Sequence, residues 1–307
     1  MKTLMTTDGS QMSMRALRSA GTLLRKTKNE VDLLCVAPEL YIPEMKRKAA
    51  RQRAARIRES YRRRIALETE AILKKAREAL AEQGIDANPI SQTGSPSDVI
   101  LRLAPDYDVI VVGAVGRYHS PNLGLGPVAS RVVEKAHGTV LVSRELSGEE
   151  RLRVLVGVDG SLASRRALAT AAACFDLDEA EITILHVKET PWIHLGLDRE
   201  WFDYSGDATS LSDPEIQFEE ELQREAENLL EASRKILENY DYSVITMIAE
   251  GSPATEILGE AENGGYDLVV LGATGVTDAK HAMLGSVSAK VAAQAVCSVA
   301  IVRHHAE

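Results

Sequence analysis

The chain has 307 residues, of which 45% are hydrophobic and 26% charged. That length suits two domains, each large enough to bury a core without metal or disulfide staples. The composition excludes wholesale disorder, and the absence of any run of 18 or more apolar residues excludes a conventional transmembrane helix. The net charge of −9 hides a split: residues 1–150 carry 24 Lys plus Arg against 18 Asp plus Glu, and residues 151–307 carry 12 against 27. The acidic mean favours a soluble chain and argues against general nucleic-acid binding, while the split leaves room for a local basic site. The opening MKTLMTTDGS lacks the apolar core of a signal peptide, so the expected location is the cytoplasm. Cys35, Cys174 and Cys297 form no CxxC pattern and no disulfide framework, which fits a reducing compartment.

Short apolar runs alternate with longer segments of helical period. The first half predicts strands near 2–7, 31–37, 85–91, 108–113 and 139–143. Its helices fall near 12–27, 44–83, 96–103 and 127–137. The second half predicts strands near 152–158, 181–187, 242–249, 267–272 and 298–303, and helices near 162–173, 215–239, 253–262 and 286–296.

The halves repeat each other. Asp8-Gly9-Ser10 recurs as Asp159-Gly160-Ser161, and Gly94-Ser95-Pro96 as Gly251-Ser252-Pro253. YDVIVVGAVG at Tyr107–Gly116 recurs as YDLVVLGATG at Tyr266–Gly275. A repeat of this length is a duplicated domain rather than a solenoid unit. We divide the chain into domains 1–147 and 148–307. Strands such as VIVV and LVVL are apolar on both faces, as expected for a parallel sheet covered by helices on both sides. The expected fold is α/β: two repeated Rossmann-like domains, each a five-stranded parallel sheet flanked by helices. Ligands of such sheets bind beyond the carboxyl ends of the strands, so the residues after strands one and four matter most.

After the fourth strand the second half reads Gly272-Ala273-Thr274-Gly275, and later Gly285-Ser286-Val287-Ser288 opens a helix. The glycines allow a sharp turn and close approach to a ligand. Free N–H groups of the first helical turn can meet phosphate oxygens, and Ser286 and Ser288 add hydroxyl donors. The pattern is neither GxGxxG nor GxxxxGK[ST]. Its plain alternative is a glycine turn followed by a serine cap. Asp159 either accepts bonds from a ribose or adenine, or organises the turn that Ser161 caps. Val187 either walls an adenine ring or is core.

These residues resemble the universal stress protein family in its tandem form, once per half. The resemblance implies ATP binding through Gly-x2-Gly-x9-Gly-Ser/Thr, matched by Gly272, Gly275, Gly285 and Ser286. It further implies pocket roles for Val158, Asp159, Gly160, Val187, Val287 and Ser288. The first half keeps Asp8, Val36, Gly113, Gly116 and Gly126, but has Pro127 and Ala129 where the second has Ser286 and Ser288. Two hydroxyls and one N–H are lost, so the first half is expected to bind nucleotide weakly or not at all. The resemblance also implies that fifth strands pair, here Val140–Ser143 with Val299–Val302. That pairing makes the halves a pseudo-dimer, and a homodimer is a further expectation.

Turnover beyond a weak ATPase has little support. Asp278 and His281 lie in the nine-residue loop, where Asp278 could assist magnesium; His119, His137, His186 and His194 have no metal spacing. Residues 46–64 hold ten bases and one acid. They begin a long helix whose apolar edge is expected at Ile57, Tyr61, Ile65, Ile72 and Ala76. This stripe is a solvated helix that extends past the domain, pairs with the acidic stretch Glu215–Glu231, or docks an unknown protein partner as a non-nucleotide scaffold. Nucleic acid is disfavoured because Tyr61 is the stripe's only aromatic, and membrane insertion is not expected. Trp192, Trp201 and Phe202 in Pro191–Pro214 plug a cleft, meet a partner or pack inward.

Overall fold

The computed structural model describes residues 1–24, 29–43, 48–117, 124–146, 148, 151–189, 213–238, 240, 242–275 and 284–303. Asp278, His281, His119, His194 and the aromatics of 191–214 lie outside them. The chain divides into two compact units, Met1–Glu145 and Leu146–His304.

The first unit runs β1 (Lys2–Thr6), α1 (Gln11–Leu23), β2 (Glu30–Ala37), α2 (Lys48–Ala81), β3 (Ala87–Thr93), α3 (Pro96–Leu103), β4 (Val109–Gly113), α4 (Pro127–Lys135) and β5 (Thr139–Ser143). Its sheet order is β3-β2-β1-β4-β5, with parallel pairings throughout. The second unit runs β6 (Arg153–Gly157), α5 (Leu162–Cys174), β7 (Glu181–Lys188), α6 (Asp213–Leu237), β8 (Ser243–Glu250), α7 (Pro253–Asn263), β9 (Leu268–Gly272), α8 (Ser286–Gln294) and β10 (Ser298–Val302). Its order is β8-β7-β6-β9-β10, again parallel. Both are doubly wound α/β sheets of the expected class. The strand order reverses beside the first strand, next to the fourth, which places the ligand crevice there.

The repeated motifs have distinct physical jobs. In Asp-Gly-Ser, the serine caps the next helix: Ser10 Oγ accepts from Ser13 N at 3.2 Å, and Ser161 Oγ from Ser164 N at 3.1 Å. In Gly-Ser-Pro, Ser95 and Ser252 sit at the N-cap, with proline in the first helical turn where its missing N–H costs nothing. Tyr-Asp works at the opposite end of the sheet from the crevice. Asp108 Oδ2 accepts from Lys2 N at 2.7 Å, and Asp267 Oδ2 from Arg153 N at 3.1 Å, so each aspartate pins the start of its unit's first strand. Tyr107 donates to Asp32 at 2.6 Å and Tyr266 to Thr183 at 2.8 Å, tying strand four's approach to strand two.

Two expectations shift. Helix α1 ends at Leu23 rather than near 27, because Leu24 is already extended at ψ 139°. Ile57 is 51% exposed and does not join the apolar edge of α2. The buried positions of that helix concentrate toward its C-terminal half, at Thr69, Leu73, Ala76, Ala79 and Leu80; before them, among the residues whose side chains are described, Ala54 alone is buried. Cys35, Cys174 and Cys297 are buried and form no disulfide.

Gly272 shows how tightly a helix is drawn onto the strand end. A Cβ there would meet the backbone carbon of Ala163 at 2.8 Å, whereas at Gly113 the nearest atom, Ala16 Cβ, is an ordinary 3.5 Å away. Gly272→Ala should therefore cost about 1–3 kcal/mol in urea unfolding through overpacking. Gly113→Ala should be neutral or stabilising by up to about 1 kcal/mol, since alanine loses less chain entropy. Equal effects would contradict this packing.

Candidate functional site

In the second unit the ends of β6, β7 and β9 and the start of α8 enclose a cavity of about 430 Å³. One side is Val158, Asp159 and Val187; the other is Gly272, Thr274, Gly275, Gly285, Ser286, Val287 and Ser288. Leu222, Glu225 and Leu229 of α6 also line it. Thus the residues singled out from sequence converge, with one exception. Gly160 does not line the cavity; it turns the chain at φ +79°, where L side chains are strained.

The loop after β9 returns to the strand through one backbone bond, Gly285 N to Ala273 O at 2.7 Å. This bond carries the N-terminus of α8 back to the crevice. Gly285 is the N-cap, extended at φ −64° and ψ 152°, and no side chain caps the helix. Ala289 N is the next donor tied inside, to Gly285 O, so the first-turn N–H groups of 286–288 have no partner within the helix. An uncapped helix start facing a cavity is an anion site by charge and by hydrogen bonding.

Asp159 is exposed beside this nest. Its Oδ1 accepts from Ser161 N at 3.0 Å, so it does organise the turn. Its Oδ2 lies 2.8 Å from where a Cβ on Gly275 would sit, so any side chain at 275 would displace the carboxylate. Ser288 departs from expectation. Its hydroxyl donates to Gly272 O at 2.6 Å, and the residue is buried. A hydroxyl has one proton, so Ser288 ties helix to strand instead of donating to a ligand. Ser286 is exposed and makes no such bond. Sequence reasoning missed His186 and Lys188, which also line the cavity. His186 Nδ1 donates to Val158 O at 2.9 Å, and Lys188 reaches Gln223 at 3.0 Å. Their place in β7, alternating around Val187, was the available signal.

The first unit builds the same frame around a cavity of about 520 Å³, lined by Asp8, Val36, Gly113, Gly116, Gly126 and the start of α4. Gly126 N bonds Ala114 O at 2.8 Å, the counterpart of the second unit's bond. Its Asp8 is held differently. Oδ1 accepts from Ser10 N at 2.9 Å and Oδ2 from Arg117 N at 2.8 Å. The Arg117 guanidinium donates to Asp8 O at 2.8 Å and reaches Glu68 at 3.4 Å. Burial pushes the Asp8 carboxyl up, but hydrogen bonds from Ser10, Ser13 and the Arg117 backbone outweigh it and hold the group below its ordinary value. The same burial, with Asp8 nearby, pushes the Cys35 thiol up to about 11. Among the described residues no group of three or more His, Cys, Asp or Glu is arranged to hold a metal ion.

A doubly wound module, duplicated, with a helix N-terminus and an aspartate facing each other at the strand ends, is the class this geometry defines. The Universal stress protein family model matches residues 1–144 and again 150–303. The chain belongs to that family, in tandem form. It is 33% identical over 155 residues to Universal stress protein YxiE of Bacillus subtilis, covering 49% of this chain and 98% of that protein. It is 32% identical over 143 residues to Universal stress protein MJ0577 of Methanocaldococcus jannaschii, covering 45% and 86%. A crystal structure of a universal stress protein from Archaeoglobus fulgidus shares the fold over 99% of this chain and 98% of its own, with TM-score 0.65 at 20% identity.

Because its folded pKa is depressed, Asp8 stabilises the protein above the unfolded value of about 3.9, and that contribution fades as pH falls through the folded pKa. Asp8→Asn should therefore be destabilised relative to wild type at pH 7, with the gap closing as the pH is lowered below about 4 in urea titrations. A pH-independent gap would contradict this.

Proposed function

We propose that the second unit is an ATP-binding module and that the chain acts in stress response by nucleotide-dependent conformation and partner binding. The observation that carries this reading is the uncapped N-terminus of α8, which directs free N–H groups and the exposed Ser286 into a cavity shared with Asp159. Val158 and Val187 supply apolar walls for a base, Asp159 an acceptor for ribose or adenine, and the α8 nest the phosphate donors. The cavity lies within the range of about 300–1,000 Å³ typical of small-molecule sites. Magnesium would arrive on the phosphates, since such ions keep most of their water and take one or two carboxylates; Asp159, Glu189 and Glu225 are carboxylates that line the crevice.

The first unit, with Pro127 and Ala129, is the poorer nucleotide site. The domain division 1–147 and 148–307, a cytoplasmic location and homodimer formation belong to the same proposal, the location resting on three unbridged thiols. A second reading rests on α2: the side chains of Arg53, Arg56 and Arg62 are exposed and have no ion-pair partner among the described residues. That surface would suit an acidic protein partner by charge complementarity.

Calorimetry on the full chain should find one ATP per chain. Ser286→Ala should weaken it about tenfold or more, as loss of one hydrogen bond to a charged group predicts. Two equal sites, or no change in the variant, would overturn the reading.

A further inference from the structure

The cavity of the first unit is the larger of the two, yet several polar side chains that line the second have been replaced. At equivalent places in the two frames, His186 becomes Cys35, Lys188 becomes Ala37 and Thr274 becomes Val115. Ser286 becomes Pro127 and Ser288 becomes Ala129. Every one of these changes exchanges a polar or charged side chain for a less polar one. The frame itself has not collapsed: the N-caps Gly126 and Gly285 share φ of −65° and −64°, and ψ of 159° and 152°. A site that had only lost its ligand has no reason to keep its volume while these five wall positions all turn less polar.

Three exchanges run the other way, and two of them, Thr6 and Thr7 in place of Gly157 and Val158, have their hydroxyls bonded within the protein, to Val111 O and Ser13 Oγ. In the third, where α6 places Ala226 against the cavity, α2 places Thr69. Thr69 is 4% exposed and its hydroxyl makes no hydrogen bond to any described residue. This hydroxyl belongs to a residue that lines the cavity, where a ligand can pair with it.

The charges at the mouth tell against an ionic ligand. Asp8 is bonded through both oxygens, and Arg117 bridges Asp8 O and Glu68. The second unit's cavity has matching carboxylates in Asp159 and Glu225 but adds Lys188; the first has Ala37 at that place, and its Arg117 guanidinium is already engaged by Asp8 O and Glu68. The Cys35 thiol, pushed up to about 11, stays protonated and serves as an apolar wall. The volume of about 520 Å³ is ample for a drug-sized molecule.

We propose that the first unit's cavity binds an uncharged, largely hydrocarbon small molecule carrying one hydroxyl or carbonyl group that pairs with Thr69. The two units then sense different chemistries with one backbone frame. The proposal does not depend on ATP binding by the second unit.

The uncharged fluorophore N-phenyl-1-naphthylamine, titrated into the full-length protein, reports the cavity. It should bind, 1-octanol should displace it, and octanoate and ATP should not at tenfold higher concentration. Thr69→Val removes only the hydroxyl; it should weaken 1-octanol about three- to tenfold while leaving the fluorophore unchanged. Cys35→His with Ala37→Lys restores the second unit's polar wall; it should weaken both ligands about tenfold or more, with the melting curve confirming a folded chain. The proposal is overturned if the fluorophore does not bind. It is equally overturned if ATP or octanoate displaces the fluorophore as well as 1-octanol does, or if both variants bind as wild type.

Discussion

A single backbone hydrogen bond in each unit determines where the site can be. Gly285 N to Ala273 O, and Gly126 N to Ala114 O, close the loop after strand four onto the residue just beyond the strand. Ala273 and Ala114 are themselves anchored to the neighbouring strand, through Val302 O and Ser143 O. The last helix of each unit therefore starts at the sheet's carboxyl edge, with its unsatisfied N–H groups facing the aspartate that follows strand one. Without that bond the glycines would form a turn, but no nest and no crevice.

Because backbone atoms build this frame, the side chains around it are free to diverge. Asp8 and Asp159 both hold the second following N–H, and both approach a glycine too closely for any Cβ. Beyond that shared core the units part. In the second, Ser288 is turned back onto Gly272 and Ser286 is left outward. In the first, Arg117 folds over Asp8 and joins it to Glu68. The duplicated chain thus keeps one geometry and presents two electrostatic environments, one suited to phosphate and one that has lost its donors.

Much of this was legible in the sequence. Apolar runs on both faces announced parallel strands, and Asp-Gly-Ser, Gly-Ser-Pro and Tyr-Asp marked the repeat, with Ser161 readable as a cap; the roles of Gly-Ser-Pro as a helix start and Tyr-Asp as a strand anchor depend on tertiary partners. The spacing from Gly272 to Gly285 located the crevice because glycine demand is a backbone property. What stayed hidden depends on side-chain direction. Nothing in Gly-Ser-Val-Ser says that the second serine faces the strand, that Arg117 turns inward, or that Thr69 rather than Ile57 meets the interior of α2. Those outcomes follow from tertiary packing, where helical period alone leaves several faces open.

Hydrogen–deuterium exchange of the full chain, with and without saturating ATP, tests the central assignment most directly. The second unit's nest should become protected, in peptides covering 157–160 and 272–288, while 113–129 exchanges unchanged. Protection at 113–129, or none at 272–288, would contradict the assignment of the phosphate site to the second unit.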